Sequence, residues 1–440
     1  MRRNSFSGGI HPQERGSGKE VTGKSPIVPA QKPDMVAIML SQHVGAPCKP
    51  LVKAGQRVYM GQMVGEPTGF MGAPVHASVS GVVKGIQQRT AANGAPCMAV
   101  VIENDGLDEW DPSIQPCEHP ESLDKDEILK RIRAAGIVGM GGAAFPTSVK
   151  LSPPADKSID TVILNGAECE PYLTSDHRMM LEKSEEIARG LKIVMKLLAA
   201  RQGVIAIEDN KPDAVASMQN AVRGMEGVKV QPLPTKYPQG GEKQLIYAIT
   251  RRQVPSGGLP MDVGVVVMNV STAAAVYAAL KTGRPLVERV VTVTGEVNQP
   301  ANLMVRIGAS VGSLLAQCGG AREGANKLIL GGPMMGMQAY NMETPVVKGT
   351  SGVLLMRDDS PEKPVGNCIR CASCVNACPI HLMPLNLYAL YKRERFEQAQ
   401  KEHAMDCIEC GCCSYICPAK LPLVQSIRAV KSEIRKMSKR

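Results

Sequence analysis

Nine of the 14 cysteines in this 440-residue chain fall in two short runs near its C-terminal end, eight of them in a repeated comb. "CIRCASCVNACP" sets Cys368, Cys371, Cys374 and Cys378 before a proline, and "CIECGCCSYICP" repeats the comb with Cys407, Cys410, Cys413 and Cys417, each 39 residues further on. The spacing C-x2-C-x2-C-x3-C-P suits a cubane [4Fe-4S] cluster. Three thiolates on a tight turn reach three corners of one cube, and the fourth, displaced by a turn and fixed by proline, reaches away to a neighbouring cube. The expected sets are therefore crossed: Cys368, Cys371, Cys374 and Cys417 for one cluster, and Cys407, Cys410, Cys413 and Cys378 for the other. Zinc is the competing metal, but structural zinc prefers two CxxC pairs set apart. Cys412 falls outside the repeat and is read as a bystander.

Such clusters pass electrons singly and cannot accept hydride, so their donor must be sought elsewhere in the chain. A flavin, which takes electrons in pairs and releases them one at a time, would meet the need. The candidate loop is "GIVGMGGAAFPTSVK", residues 136–150. By count, Gly139, Gly141 and Ala144 fit a dinucleotide fingerprint. By context they do not, because that fingerprint follows a strand and opens a helix, whereas this loop follows a predicted helix at 124–135. Clustered glycines still let a backbone wrap a phosphate or a flat ring.

The elements that must position these groups read as a multidomain α/β and α+β chain. After a Gly- and Pro-rich leader, read as loose, residues 35–104 alternate short strands with glycine turns. The pattern "LVKAGQRVYMGQMVGE" followed by "HASVSGVVKGI" resembles lipoyl and biotinyl carrier domains, whose hairpins form a flattened barrel, but the intervening "PTGFMGAP" has no lysine to modify. Asp124 and Glu127 predict a capping box, and Gly136 a helix end. From there to 285, apolar runs such as "TVILNG" and "VGVVVMNV" alternate with helical patterns, as in a layered α/β sheet. A hairpin, the short helix "SVGSLLAQC" and the strand "KLILGG" make an α+β module after 286. The expected domains are 1–120, 121–285, 286–345 and 346–440.

Hydrophobic residues at 44% and charged residues at 21% fit a globular protein, and no stretch reads as a membrane span or a signal peptide. The sequence thus predicts a cytoplasmic chain. Residues 420–440 carry seven Lys or Arg against Glu433 alone. That basic end is read either as a solvated helix or as a dock for anionic lipid or an acidic partner. It has no aromatic residue to stack on bases, which argues against nucleic acid.

The segments "GMGGAAFPTSVK", "NGAECEP", "YPQGGEK" and "MNVST" stand in the order and spacing of the FMN- and NADH-binding subunit of respiratory complex I. With "FSGGIHP" at the start, the barrel first and the double comb last, the whole chain resembles the C-subunit family of Rnf complexes, ion-translocating NADH:ferredoxin oxidoreductases. The resemblance implies a barrel-sandwich hybrid, an α/β flavin/NADH domain, a soluble-ligand-binding β-grasp module and a two-cluster ferredoxin-like domain. It implies FMN and two [4Fe-4S] clusters as cofactors, and NAD(H) as substrate. The implied partners are the other subunits of a membrane complex, with ferredoxin reached through them, at the cytoplasmic side of the membrane.

Carried over by position, Gly139, Gly141, Gly142 and Lys150 would hold the FMN phosphate and ring edge. Asn165, Glu168, Tyr237, Gly240, Gly241, Asn269 and Thr272 would close around the flavin. Phe145, Glu170 and Glu242 would face the nicotinamide nucleotide; for Glu168 and Glu170 the other reading is a solvated loop. Two positions depart from the complex I pattern: Ala167 stands where an Asp is expected, and Lys243 where a second Glu is. Competing readings are a cobalamin reductase-like flavin/iron-sulfur enzyme, in which the flavin domain comes first, and a ferredoxin-like wire with a vestigial nucleotide fold.

Overall fold

The computed structural model describes residues 4–12, 18–358 and 365–438. Its flavin-type domain is built on four parallel strands, Thr161–Gly166, Gln202–Glu208, Val228–Leu233 and Val265–Asn269. Parallel strands covered on both faces are apolar throughout, and "TVIL" and "VVVM" are buried at every position. Alternate residues serve opposite layers. Val162, Leu164, Val266 and Met268 pack with the helices Ser184–Leu198 and Val270–Thr282, while Ile163, Val265 and Val267 pack with Leu245 and Ile246 of the helix Glu242–Thr250.

In chain order the sheet runs third, second, first, fourth strand. The order therefore reverses between Thr161–Gly166 and Val265–Asn269, and a crevice opens beyond the carboxyl ends of these two strands, where Asn165 and Asn269 stand paired in register. Ligands of open α/β sheets bind at such switch points.

The barrel consists of a four-stranded antiparallel sheet, with Gly81–Thr90 and Pro96–Asn104 at its centre, and a three-stranded one. Their inner faces meet through Val36, Ile38, Val58, Val64, Val75, Val83 and Val100. The hairpin Glu288–Gly295 and Ala301–Arg306 and the strand Lys327–Leu330 form the third module. Its sheet also takes Gly352–Met356, beyond the expected boundary at 345, because this strand pairs with both Glu288–Gly295 and Lys327–Leu330.

The described residues of the leader are not loose. Residues 5–10 lie between the flavin domain and the cysteine region. Lys19 is half-buried, with its Nζ donating to the carbonyls of Glu168 at 2.8 Å and Leu173 at 2.5 Å. Ile27–Pro29 adds a parallel edge strand to the third module. Its glycines and prolines satisfy contacts with three modules that no local pattern reveals.

The uncharged run that begins at 263 forms the strand Val265–Asn269 and the helix Val270–Thr282. Among the described residues no helix is long and apolar enough to cross a membrane. The basic C-terminal segment forms the amphipathic helix Leu423–Met437, which buries Leu423, Ile427, Val430 and Ile434 against the cysteine region. Residues 439 and 440 of that segment lie outside the described residues.

Gly190 faces Ala273 so closely that an added Cβ would run into the Ala273 carbonyl. Gly190→Val should therefore push apart the two helices behind the crevice and destabilise the chain by about 1–3 kcal/mol. Urea unfolding measures this, and an unchanged midpoint would contradict the close packing.

Candidate flavin crevice and paired cysteine sites

The loop 136–150 enters from the helix Lys125–Ala134, whose N-terminus is capped as expected by the Asp124 carboxylate accepting from the Glu127 N–H at 2.8 Å. The loop folds over the switch point. The Met140 N–H donates to Thr272 Oγ1 at 2.9 Å. A Cβ on Gly141 would lie 2.6 Å from Asn269 Nδ2, whereas one on Gly142 would meet nothing within 4 Å. Gly141 thus permits contact with Asn269, and Gly142 leaves backbone uncovered. Asn269 caps the helix Val270–Thr282, its Oδ1 accepting from the N–H groups of Ser271 and Thr272. Across the crevice, Asn165 Nδ2 donates to the Gly240 carbonyl at 2.9 Å, and Gly241 caps the helix Glu242–Thr250. Lys150 Nζ pairs with Glu242 at 2.9 Å and donates to the Val267 carbonyl at 3.0 Å.

Glycine backbone, two helix N-termini and an ammonium therefore converge beyond the strand ends, a donor set that suits a phosphate and a flat ring. Phe145 is half-buried within the same loop, its carbonyl accepting from the Gly139 N–H.

Three expected flavin or nucleotide residues are committed elsewhere. The Glu168 carboxylate caps the helix Ser175–Glu182, accepting from the Asp176 N–H at 2.7 Å and the His177 N–H at 3.1 Å. Glu170 is no solvated loop residue: it accepts from the N–H groups of Met334 and Met335, while burial pushes its carboxyl up to about 7. Tyr237 is fully buried, and its hydroxyl donates to the Cys410 carbonyl at 2.8 Å. Backbone capping and interdomain packing claim these groups, which spacing alone does not disclose. Lys243 points away, donating to the Pro255 carbonyl.

Other residues that shape the crevice were not visible in the sequence. Half-buried Asp176 accepts from Asn269 Nδ2 and Ser271 Oγ, each at 2.6 Å, and so fixes the Asn269 amide. Burial and the nearby Glu168 charge raise its carboxyl to about 6, against these two donors. The buried ion pair Lys211–Glu208 holds the Ala167 carbonyl through Lys211 Nζ at 2.7 Å. No motif marks either group, because each acts through contacts distant in sequence.

The cysteine repeat is also a backbone repeat. Left-handed residues recur 39 positions apart, at Arg370 and Glu409, Ala372 and Gly411, and His381 and Lys420. Both combs therefore bend at the same places, and the short helices Ser373–Asn376 and Cys412–Ile416 pack together. Cys368, Cys371, Cys374 and Cys417 line one cleft whose other walls are mainly apolar, including Ile369, Leu385, Leu421 and Leu423. Cys413 lies within electrostatic range of Cys407, Cys410 and Cys378. These are the two crossed groups.

The two groups differ in surroundings. Cys368 and Cys371 are exposed, whereas the second group is buried apart from half-buried Cys407. Beside it Lys431 Nζ donates to the Cys407 carbonyl at 2.8 Å and pairs with Glu409. Cys412 is fully buried, its Sγ 4.0 Å from the Tyr237 carbonyl.

A switch-point crevice of this kind joined to a doubled cysteine comb defines a flavin- and iron-sulfur-binding oxidoreductase subunit. Family models match accordingly: the RnfC barrel sandwich hybrid domain over 4–107, the Nuo51 FMN-binding domain over 132–278, the SLBB domain over 290–338 and a 4Fe-4S dicluster domain over 367–421. The chain is 51% identical to the C subunit of the Na(+)-translocating ferredoxin:NAD(+) oxidoreductase complex of Acetobacterium woodii, covering 99% of this chain and 98% of that one. It is 46% identical to the proton-translocating counterpart of Clostridium ljungdahlii (99% and 95% covered) and 44% identical to the C subunit of the ion-translocating oxidoreductase complex of Rhodobacter capsulatus (99% and 84%). The chain belongs to this C-subunit family of ion-translocating ferredoxin:NAD(+) oxidoreductases.

Gly141→Ala puts a methyl group into the Asn269 amide and should empty the crevice without unfolding the sheet. Flavin bound per chain is expected to fall at least about tenfold, a loss of roughly 1.4 kcal/mol in affinity, with the circular dichroism spectrum unchanged. Full flavin content in this variant would contradict the contact as the basis of binding.

Proposed function

We propose that this chain is the peripheral subunit through which a membrane-bound, ion-translocating complex exchanges electrons with the NAD pool, at the cytoplasmic side of the membrane. Its partners are then the membrane subunits and, through them, ferredoxin. When bound, FMN supplies the change from paired to single electrons, and two [4Fe-4S] clusters carry single electrons.

The chain's residues have separate duties in this reading. Gly139, Gly141 and Gly142 would offer backbone N–H groups to the flavin, and Lys150, now paired with Glu242, would neutralise its phosphate. Asn165, Gly240, Gly241, Asn269 and Thr272 would frame the ring, with Phe145 and Glu242 at the nicotinamide side. Orientation rather than proton transfer suits hydride exchange, and the rigid caps at Asn269 and Gly241 supply it. Cys368, Cys371, Cys374 and Cys417 would hold one cube, and Cys378, Cys407, Cys410 and Cys413 the other.

The observation that carries this reading is the contact between the crevice and the second cysteine group: three residues before Gly240, the Tyr237 hydroxyl donates to the Cys410 carbonyl at 2.8 Å. The first group opens instead to a surface with exposed Ile369, Met383 and Tyr415. This arrangement supports an inner site beside the flavin and an outer one facing a partner.

Anaerobic titration of the loaded chain with NADH tests the proposal. The flavin band should bleach with about one equivalent of this two-electron donor, and the cluster absorbance should fall as more is added. A chain that holds its clusters but no flavin, or whose clusters ignore NADH, would overturn it.

A further inference from the structure

The seam between the flavin domain and the cysteine region contains a third component, the N-terminal segment Phe6–Ile10. On one side it meets the strip that carries Tyr237. The Ile10 N–H donates to the Tyr237 carbonyl at 2.8 Å, and the Tyr237 N–H donates to the Ile10 carbonyl at 2.9 Å. Lys236 Nζ donates to the Phe6 carbonyl at 2.8 Å and stands 4.4 Å from the Phe6 ring centroid. On the other side the segment grips the first comb where it crosses to the second site. The Gly9 N–H donates to the Ala377 carbonyl at 2.9 Å, and Ser7 Oγ is hydrogen-bonded to His381 Nε2 at 3.0 Å.

Both glycines are required by this double contact. They adopt left-handed φ values of 74° and 77°. A Cβ on Gly8 would lie 2.6 Å from the Cys378 carbonyl oxygen, and one on Gly9 2.6 Å from that of Tyr237. Side chains at either position would wedge the two domains apart. The direct contacts across the same seam are few side-chain bonds, among them Tyr237 to Cys410, Gln244 to the Pro379 carbonyl and Ser256 to Asp406. Phe6 and Ile10 are buried, and Ile10 joins Tyr237, Ala377, Cys410 and Cys412 in an apolar cluster that spans the seam.

We propose that Phe6–Ile10 is a clamp that fixes the separation of the flavin crevice from the inner cysteine group, and thereby positions the two for electron transfer. The inference rests on the function proposed above. In the balanced step, one hydride leaves NADH, its two electrons reach the two clusters one each, and the proton goes to solvent. A displacement of about 1 Å at a reacting junction can cost on the order of a hundredfold in rate. The clamp thus governs the second half of that transfer and leaves the first half untouched.

The test compares the parent chain, loaded with FMN and iron-sulfur clusters, with a deletion of residues 2–10 and with Gly8→Val. Stopped-flow mixing with NADH should show flavin bleaching within about twofold of the parent in both variants, and cluster bleaching slowed at least about tenfold, with iron and flavin per chain retained. Hydrogen exchange, which needs no turnover, should rise in residues 374–382 and 236–241. Cluster bleaching at the parent rate, unchanged exchange across the seam, or loss of iron together with the segment would overturn the clamp. Failure of NADH to bleach flavin in the parent would overturn the functional reading instead, while the exchange comparison would still decide whether the segment holds the seam.

Discussion

The C-terminal cysteine region is organised by one geometric constraint of the comb: its fourth thiol is displaced by a turn and held by proline, away from its own three partners. In the proposed ligand sets each comb lends that thiol to the other. The duplicated left-handed positions, 39 residues apart, give the two combs the same bends, and the packed short helices between them bring Cys417 into the cleft of Cys368, Cys371 and Cys374. In those sets neither half completes a site alone. The second group touches the flavin domain through Cys410, and the first has two cysteines exposed at the surface.

The flavin domain solves a complementary problem. Its four parallel strands reverse order between the first and the last, and the reversal leaves a crevice at Asn165 and Asn269. Rigidity there comes from polar pairs. Asp176 orients Asn269, and Lys211 with Glu208 holds the Ala167 carbonyl. Removing either Lys211 or Glu208 leaves an uncompensated buried charge, at a cost of about 3–5 kcal/mol. The crevice is therefore preorganised by groups with no chemistry of their own.

Much of this was legible in the sequence because it is encoded at short range. Cysteine spacing, the Asp124 cap and the apolar parallel strands are local signals. The leader was not legible: its glycines answer to Cys378 and Tyr237, more than 200 residues away. For the same reason Glu168, Glu170 and Tyr237 were expected around the flavin and nucleotide. Their actual partners are the N-terminus of the helix Ser175–Glu182, the Met334–Met335 backbone and the Cys410 carbonyl. Residue type said that each would bind something, and tertiary packing decided what.

The interleaving of the two combs is tested most directly by iron content together with the electron paramagnetic resonance of the reduced protein, compared between Cys417→Ser and Cys371→Ser. The parent should carry about eight irons per chain, and each variant about four, since one cube is lost in either case. The account predicts that these two variants keep the same surviving signal, while Cys378→Ser and Cys410→Ser share the other one. A Cys417→Ser protein whose signal matches that of Cys410→Ser, or zinc in place of iron in the parent, would contradict it.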